Sequence, residues 1–446
     1  MVLRRKIYDE LLNWKKTRKE ECVLIAGPRQ VGKSFIVEHF GKNEYDNYIE
    51  INFVKSPNLK SIFAFDNADY EISSDEIIKR ISAYIPNAKF EEGKTLLFLD
   101  EIQKCGEAIT ALKFLAKDKR FDTIASGSLL GLAYGQDDDS DVKRPDSYPV
   151  GYLFKIDMHS LDFEEYLWAN GYGNDAIAYL KDSYLKKEKV PEFINNKYEE
   201  LFREFIVVGG MPEVVISFIE NKNYNEVQRI QKKIMDDYYA DIAIHAKGQE
   251  KIKVRKCYDS IPRQLAKETK KFQYSTVEKG KTSRTYENSI QWLEDSGLVN
   301  VCYNVFDPYI PLIGNENVDQ FKLYYHDTGL LCSVYGLETK LAVLNNSISG
   351  NIKGGIYENV ISELLVKKGL KIHYYKKNDS TMEIEFLIEK SGGVIPVEVK
   401  AGNDQTPSLN HYMKNFKPEY SLKFINGNVG VVDNKITIPH YMIMFI

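Results

Sequence analysis

Two kinds of apolar run alternate along the first third of this chain, and their alternation predicts a sheet interleaved with helices. Leu3, Ile7, Leu11 and Trp14 recur at helical spacing and predict an amphipathic helix within residues 1–21. Val23-Leu24-Ile25-Ala26 is short and unbroken, the pattern of a strand buried on both faces. A helix-like segment, Phe35 to Phe40, follows it, and Tyr48 to Val54 alternates as a strand does. Ser73-Ser74-Asp75-Glu76 supplies cap chemistry for a helix reaching about Tyr84. Thr95 to Leu99 is again continuous and apolar and ends in Asp100-Glu101. Phe121 to Ala125 ends in Ser126-Gly127-Ser128, a triplet that also reads as a simple turn, and Gly151 to Met158 can supply a fifth strand. Strands separated by helices in this way predict an α/β fold with a parallel sheet covered by helices.

The remaining pattern changes twice. Leu161 to about Ile244 is mainly helical, with Gly209-Gly210-Met211-Pro212 read as a sharp helix-to-helix connection. A helix over roughly Lys253 to Lys267 precedes a Thr282/Ser283 cap and a second helix from Arg284, with Tyr286, Ile290 and Leu293 on one face. Gly297 ends that helix and strand-like Leu298 to Tyr303 follows, a winged-helix-like layout. A helix from Gly355 to Lys368 and strands over 371–375, 382–388 and 394–400 then predict a C-terminal α/β domain. The expected division is a nucleotide-binding core over 1–160, a helical lid or linker over 161–246, a winged-helix-like basic domain over 247–345 and the last domain over 346–446.

Length and composition allow this. At 446 residues, 43% hydrophobic and 28% charged, the chain has the make-up of an ordinary globular protein with room for two to four domains. No apolar run approaches the roughly 18 residues of a membrane span, so no membrane partner is expected. The start of the chain has no signal-peptide h-region. Five cysteines, at 22, 105, 257, 302 and 332, are odd in number and form no C-x-x-C. They argue against a disulfide framework or zinc site and for a reducing, cytoplasmic location. The net charge of −4 hides an uneven distribution: residues 247–284 hold twelve Lys or Arg against four acids. That stretch is a candidate surface for double-stranded DNA, with Arg284 and the lysines at 270, 271, 279 and 281 as phosphate contacts. The blander reading is a solvated basic face, as the acidic run Gln136 to Asp141 is a solvated loop.

Specific chemistry enters at Gly27-Pro28-Arg29-Gln30-Val31-Gly32-Lys33-Ser34, which is G-x-x-x-x-G-K-[ST] with every fixed position filled, after a strand and before a helix. Glycines there let backbone N–H groups wrap a phosphate, Lys33 reaches the β- and γ-phosphates, and the Ser34 hydroxyl binds Mg²⁺. ATP and Mg²⁺ are therefore the expected ligands. Asp100 would hold the Mg²⁺ with Ser34, and Glu101 would orient and deprotonate the attacking water. Ser126 or Ser128, at the end of the strand beside it, could sense the γ-phosphate. A second constellation lies in the last domain. Glu398 and Lys400 are two apart on a strand and share a face. With Glu385 on the neighbouring strand and Glu358 on the packing helix, they would form a carboxylate–lysine cluster able to hold Mg²⁺ and activate water.

GPRQVGKS, LFLDEIQ, ASGSLL, SYPVGYLFKIDMHSLDFEEYL and FREFIVVGGMPEVV together resemble the prokaryotic AAA+-superfamily ATPases that join an AAA-type domain to a C-terminal domain of unknown function, the AAA_14 plus DUF4143 family. The resemblance spans essentially the whole chain. It implies a five-stranded P-loop ATPase core with Lys33, Ser34, Asp100, Glu101 and a sensor serine in their roles, and an arginine reaching the γ-phosphate, for which Arg120, Arg144 and Arg203 stay open. The last domain resembles the PD-(D/E)xK restriction-endonuclease-like core, with Glu385, Glu398, Lys400 and Glu358 in the motif positions. It departs from that pattern at Glu385, usually Asp, whose extra methylene shifts the carboxylate by about 1.5 Å. Three readings follow: an ATP-driven switch coupled to DNA, an ATP-gated DNA nuclease, and an ATP-bound scaffold for self-association or a protein partner with little turnover.

Overall fold

The computed structural model describes residues 1–446 except 18, 65–72, 130–131, 133–147, 247, 378–381 and 403–405. Arg144, Lys247 and the acidic run Gln136 to Asp141 thus lie outside the described residues. The chain forms two units, one over Arg4–His159 with Asp295–Gly297, the other over Met1–Leu3, Ser160–Glu294 and Leu298–Ile446.

In the first unit five strands make one parallel sheet: β1 (Cys22–Gly27), β2 (Asn47–Asn52), β3 (Thr95–Asp100), β4 (Asp122–Ser128) and β5 (Leu153–Asp157), in the order β2-β3-β4-β1-β5. β1 and β3 are buried at every residue, as their unbroken apolar sequence requires of strands covered on both faces. The expected helices are present. Lys6–Thr17 buries Ile7, Leu11 and Trp14. Ser74–Tyr84 starts where Ser73 Oγ accepts the Glu76 amide at 3.3 Å, and buries Ile77 and Ile81. A further helix, not among those expected, Gly106–Leu115, packs onto β3 and β4 through Ile109, Leu112 and Leu115 in a core shared with Leu97, Leu99 and Ala125. Ser126-Gly127-Ser128 is not a turn: it completes β4 in register with Ile25 to Gly27 of β1.

The second unit begins with helices over 163–245, then Glu250–Leu265 and Ser283–Asp295. An eight-stranded mixed sheet follows: β6 (Val299–Val305), β7 (Glu316–Tyr325), β8 (His373–Lys376), β9 (Glu383–Lys390), β10 (Gly393–Val399), β11 (Ser421–Ile425), β12 (Gly430–Val432) and β13 (Lys435–Pro439). Its order is β12-β13-β11-β10-β9-β8-β6-β7, and β6 joins β8 in parallel through Tyr303–His373 and Asn304–Tyr374. One sheet thereby runs across residues 345 and 346. The helix Gly350–Lys367 packs on it and is buried on every face from Gly355 to Leu365.

Gly209-Gly210 connects two helices as expected, and it does more. The Gly210 amide donates to Asp327 Oδ2 at 2.8 Å and its carbonyl accepts the Leu161 amide at 2.7 Å. A Cβ on Gly210 would sit 2.1 Å from the Leu161 carbonyl oxygen. The fully buried Asp327 also accepts from Ser160 Oγ at 3.0 Å. Nearby, Lys367 bridges Ser160 Oγ, the Leu161 carbonyl and Glu363 at 2.6–2.8 Å. Burial pushes the Glu363 carboxyl up to about 7 against the pull of Lys367.

Candidate functional site

The 27–34 loop leaves β1 and enters the helix Lys33–Glu44 through two left-handed residues, Gln30 at φ 65° and Gly32 at φ 96°. Gly27 is required by proximity, because a Cβ there would lie 2.2 Å from the Met158 carbonyl. Arg5 braces the loop from the N-terminal segment, donating to the Val31 carbonyl at 3.1 Å and the His159 carbonyl at 2.7 Å. Lys33 is buried to 7% exposure and rests its ammonium on the Gly27 and Pro28 carbonyls at 3.0 and 2.7 Å.

Asp100 ends β3 beside that loop, 2% exposed. Its Oδ1 accepts from Ser34 Oγ at 3.0 Å and from Ser126 Oγ; its Oδ2 accepts from Asn52 Nδ2 at 2.7 Å. Asn52 is itself fixed, its Oδ1 taking the Val54 and Lys55 amides at 3.0 and 2.8 Å. Parallel strands ending at one edge deliver Asn52, Asp100 and Ser126 to the same place. Glu101 follows at φ 55°, an uncommon conformation for a residue with a Cβ, and its Oε2 accepts from Gln103 Nε2 at 2.6 Å. Of the two candidate sensor serines, Ser126 reaches Asp100, and Ser128 Oγ lies 3.5 Å from Gln103 Nε2. The residues suit Mg²⁺ and phosphate. Ser34 and Asp100 present hard oxygen donors within one hydrogen bond of each other, and an ammonium lies in a loop of left-handed backbone.

Arg5, Asn52 and Gln103 were not legible as site residues. Asn52 stands at a strand end as Ser126 does, which is a usable signal; Arg5 and Gln103 carry none apart from the fold. Two of the candidate arginines have contacts of their own. Arg120 is held by Asp75 at 2.6 Å and by Asp118 at 2.5 Å; Arg203, in the second unit, donates to the Leu344 carbonyl at 3.3 Å.

In the second unit, Lys400 Nζ lies 2.7 Å from Glu398 Oε1 and 3.4 Å from Glu385 Oε1. Its amide pairs with the Phe424 carbonyl at 2.9 Å, so the β10–β11 ladder continues through it. Burial and the Glu398 carboxylate push the Glu385 carboxyl well above its usual range. Glu358 is near enough for its charge to act on Glu385, but its oxygens have other partners: Lys270 lies 2.8 Å from Oε1, Lys322 3.7 Å from Oε2, and Tyr324 OH donates to Oε2 at 3.1 Å. Lys322 also pairs with Glu383 at 2.6 Å, and Lys376 with the same carboxylate at 2.8 Å. Despite its burial, these two lysines hold the Glu383 carboxyl down to about 2. Among the described residues no group of three or more His, Cys, Asp or Glu converges closely enough to hold a metal ion. Lys270, expected as a phosphate contact, has a side chain only 12% exposed and serves Glu358. Lys279, Lys281 and Arg284 are exposed.

All five cysteines are buried thiols. Among the described residues no helix is long and apolar enough to cross a membrane.

Family models match three segments: an AAA domain over residues 19–167, a domain of unknown function, DUF8612, over 199–341, and a domain of unknown function, DUF4143, over 353–440. A search of curated proteins found no match. Among solved structures, the chain is similar to a Walker-type ATPase of Pyrococcus abyssi at 13% identity, covering 75% of this chain and 96% of that one with a TM-score of 0.43. It is also similar to the Pif1 helicase of Candida albicans at 14% identity, covering 44% and 47%, with a TM-score of 0.27. A third is a signal-transduction ATPase of the STAND class with a tetratricopeptide repeat sensor from Pyrococcus horikoshii, at 14% identity, covering 82% and 46%, with a TM-score of 0.25.

Proposed function

We propose that this chain, which joins an AAA ATPase domain to a C-terminal DUF4143 domain, binds Mg²⁺-ATP at the 27–34 loop, hydrolyses it and changes conformation with the nucleotide state. The observation that carries this reading is the shared position of Ser34 and Asp100, one hydrogen bond apart at the mouth of a complete phosphate loop. Lys33 exchanges the Gly27 and Pro28 carbonyls for β- and γ-phosphate oxygens, gaining a stronger charge-assisted contact. Mg²⁺, held by Ser34 and Asp100 when bound, offsets charge on the phosphate oxygens. Asn52 and Ser126 keep the Asp100 carboxylate aimed at that position. Glu101 accepts a proton from the attacking water as general base. Titration with a fluorescent ATP analogue checks the binding half. Lys33→Ala is expected to weaken Mg²⁺-dependent binding by about tenfold or more in a chain that still unfolds in a cooperative thermal transition. Equal affinity in the variant would remove the loop from the site.

The finer reading gives the switch a double-stranded DNA partner. Exposed Lys279, Lys281 and Arg284 support a winged-helix-like contact with phosphates. A second reading, nuclease activity, is favoured by the placement of Lys400 between Glu385 and Glu398, the lysine–carboxylate pairing a water-activating site needs. Against it stands the capture of Glu358 by Lys270 and Lys322. Plasmid nicking by the full chain in Mg²⁺ or Mn²⁺ decides: on the nuclease reading Glu398→Ala and Lys400→Ala each abolish nicking. Nicking retained in both variants would overturn that reading.

A further inference from the structure

Gln103 lies three residues beyond Asp100, in the single turn of 3₁₀ helix Ile102–Lys104, and is 2% exposed. Its Nε2 donates to Glu101 Oε2 at 2.6 Å and lies 3.5 Å from Ser128 Oγ at the end of β4. Its Oε1 is buried with no hydrogen-bond partner among the described residues. A buried amide left half-satisfied is unfavourable, and a placement that fills only its donor side invites a reason. The neighbour is informative too. A Cβ on Gly127 would stand 2.8 Å from Gln103 Oε1, so a glycine between Ser126 and Ser128 makes the room this side chain occupies.

We propose that Gln103 is the positioning residue for the general base: it holds one oxygen of Glu101, leaves the other to accept the proton of water, and links the base to the end of β4. This rests on the reading of Glu101 as the base. Glu101 itself sits on left-handed backbone, so its direction is not fixed by an ordinary helix or strand. The hydrogen bond from Gln103 supplies the missing constraint. The link to β4 makes the base responsive to that strand end, where Ser126 touches Asp100 and Ser128 approaches Gln103.

The test compares wild type, Gln103→Ala, Gln103→Glu, Gly127→Ala and Glu101→Gln by kcat and KM for ATP, with nucleotide affinity and thermal midpoint measured on the same preparations. Gln103→Ala is expected to lower kcat by about tenfold or more with KM for ATP within about twofold, since the loss falls on the chemical step. Gln103→Glu sets a second carboxylate against Glu101. It removes the amide donor while keeping the side chain's size, and should lower kcat as Gln103→Ala does with affinity and thermal midpoint retained. Gly127→Ala should reproduce the kcat defect with affinity intact. Wild-type turnover with kcat unchanged in Gln103→Ala overturns this proposal alone. So does a Gln103→Ala rate that falls only in step with affinity and thermal midpoint. Absence of turnover in wild type, or turnover equal to wild type in Glu101→Gln, sinks the base assignment and this inference with it.

Discussion

Lys340 is an ammonium with nowhere good to go. It is 0% exposed in the helix Leu337–Leu344, donates to Gln231 Oε1, and is pulled down to about 8 by burial despite the nearby Cys332 and Asp327. The sign follows from the two pKa values, about 8 folded and 10.5 unfolded. Between them the unfolded chain binds more protons, so the Lys340 contribution to stability rises with pH across that window; below pH 8 its penalty is complete and constant. A shift of that size corresponds to something on the order of 3 kcal/mol. Lys340→Met should therefore be more stable than wild type at pH 7, with the gap closing between pH 8 and 10.5, as read by urea unfolding at each pH. A gap that stays constant with pH would show that folding leaves the Lys340 proton affinity unchanged, and a variant less stable throughout would show that the Gln231 contact outweighs desolvation. Gly210 teaches a related lesson about legibility. Gly-Gly-Met-Pro is visible in the sequence as a turn, yet the reason for glycine is Leu161 and Asp327, far away along the chain. Local pattern finds the turn and cannot find the contact.

Elements with a local signature were legible, and pairings without one were not. Buried strands such as β1 and β3 read as apolar runs because both faces are covered, and Ser73 read as a cap because its chemistry lies within three residues of its partner. The Ser126-Gly127-Ser128 triplet reads equally as a strand end and as a turn: its composition is turn-like, and pairing with β1 holds it extended. Nothing local announces that β6 pairs in parallel with β8, since parallel partners need long connections and share no turn. For the same reason the E-x-K strand was readable and the surroundings of Glu358 were not. Lys270, on a loop, and Lys322, on β7, meet that carboxylate only once the eight-stranded sheet is assembled. A lysine set in the apolar second half of β7, among Phe321, Leu323, Tyr324 and Tyr325, is the trace Lys322 leaves in the sequence.

For the molecule as a whole, the AAA domain is the part in which sequence motif, strand order and side-chain geometry agree. The loop, the acids ending β3 and the serine ending β4 lie at one edge of a five-stranded parallel sheet. The C-terminal unit carries a charge-balanced interior in which lysines and glutamates alternate as partners, and its chemistry depends on whether Lys400 serves water activation or only neutralises Glu385 and Glu398. Hydrolysis at Glu101 is the claim on which the rest depends. Steady-state phosphate release at saturating Mg²⁺-ATP should be measured for wild type and Glu101→Gln side by side, with nucleotide binding confirmed in both. The account predicts turnover by wild type and a drop of about 100-fold or more in the variant at unchanged affinity. Bound ATP without turnover in wild type, or equal rates in the two proteins, would contradict it.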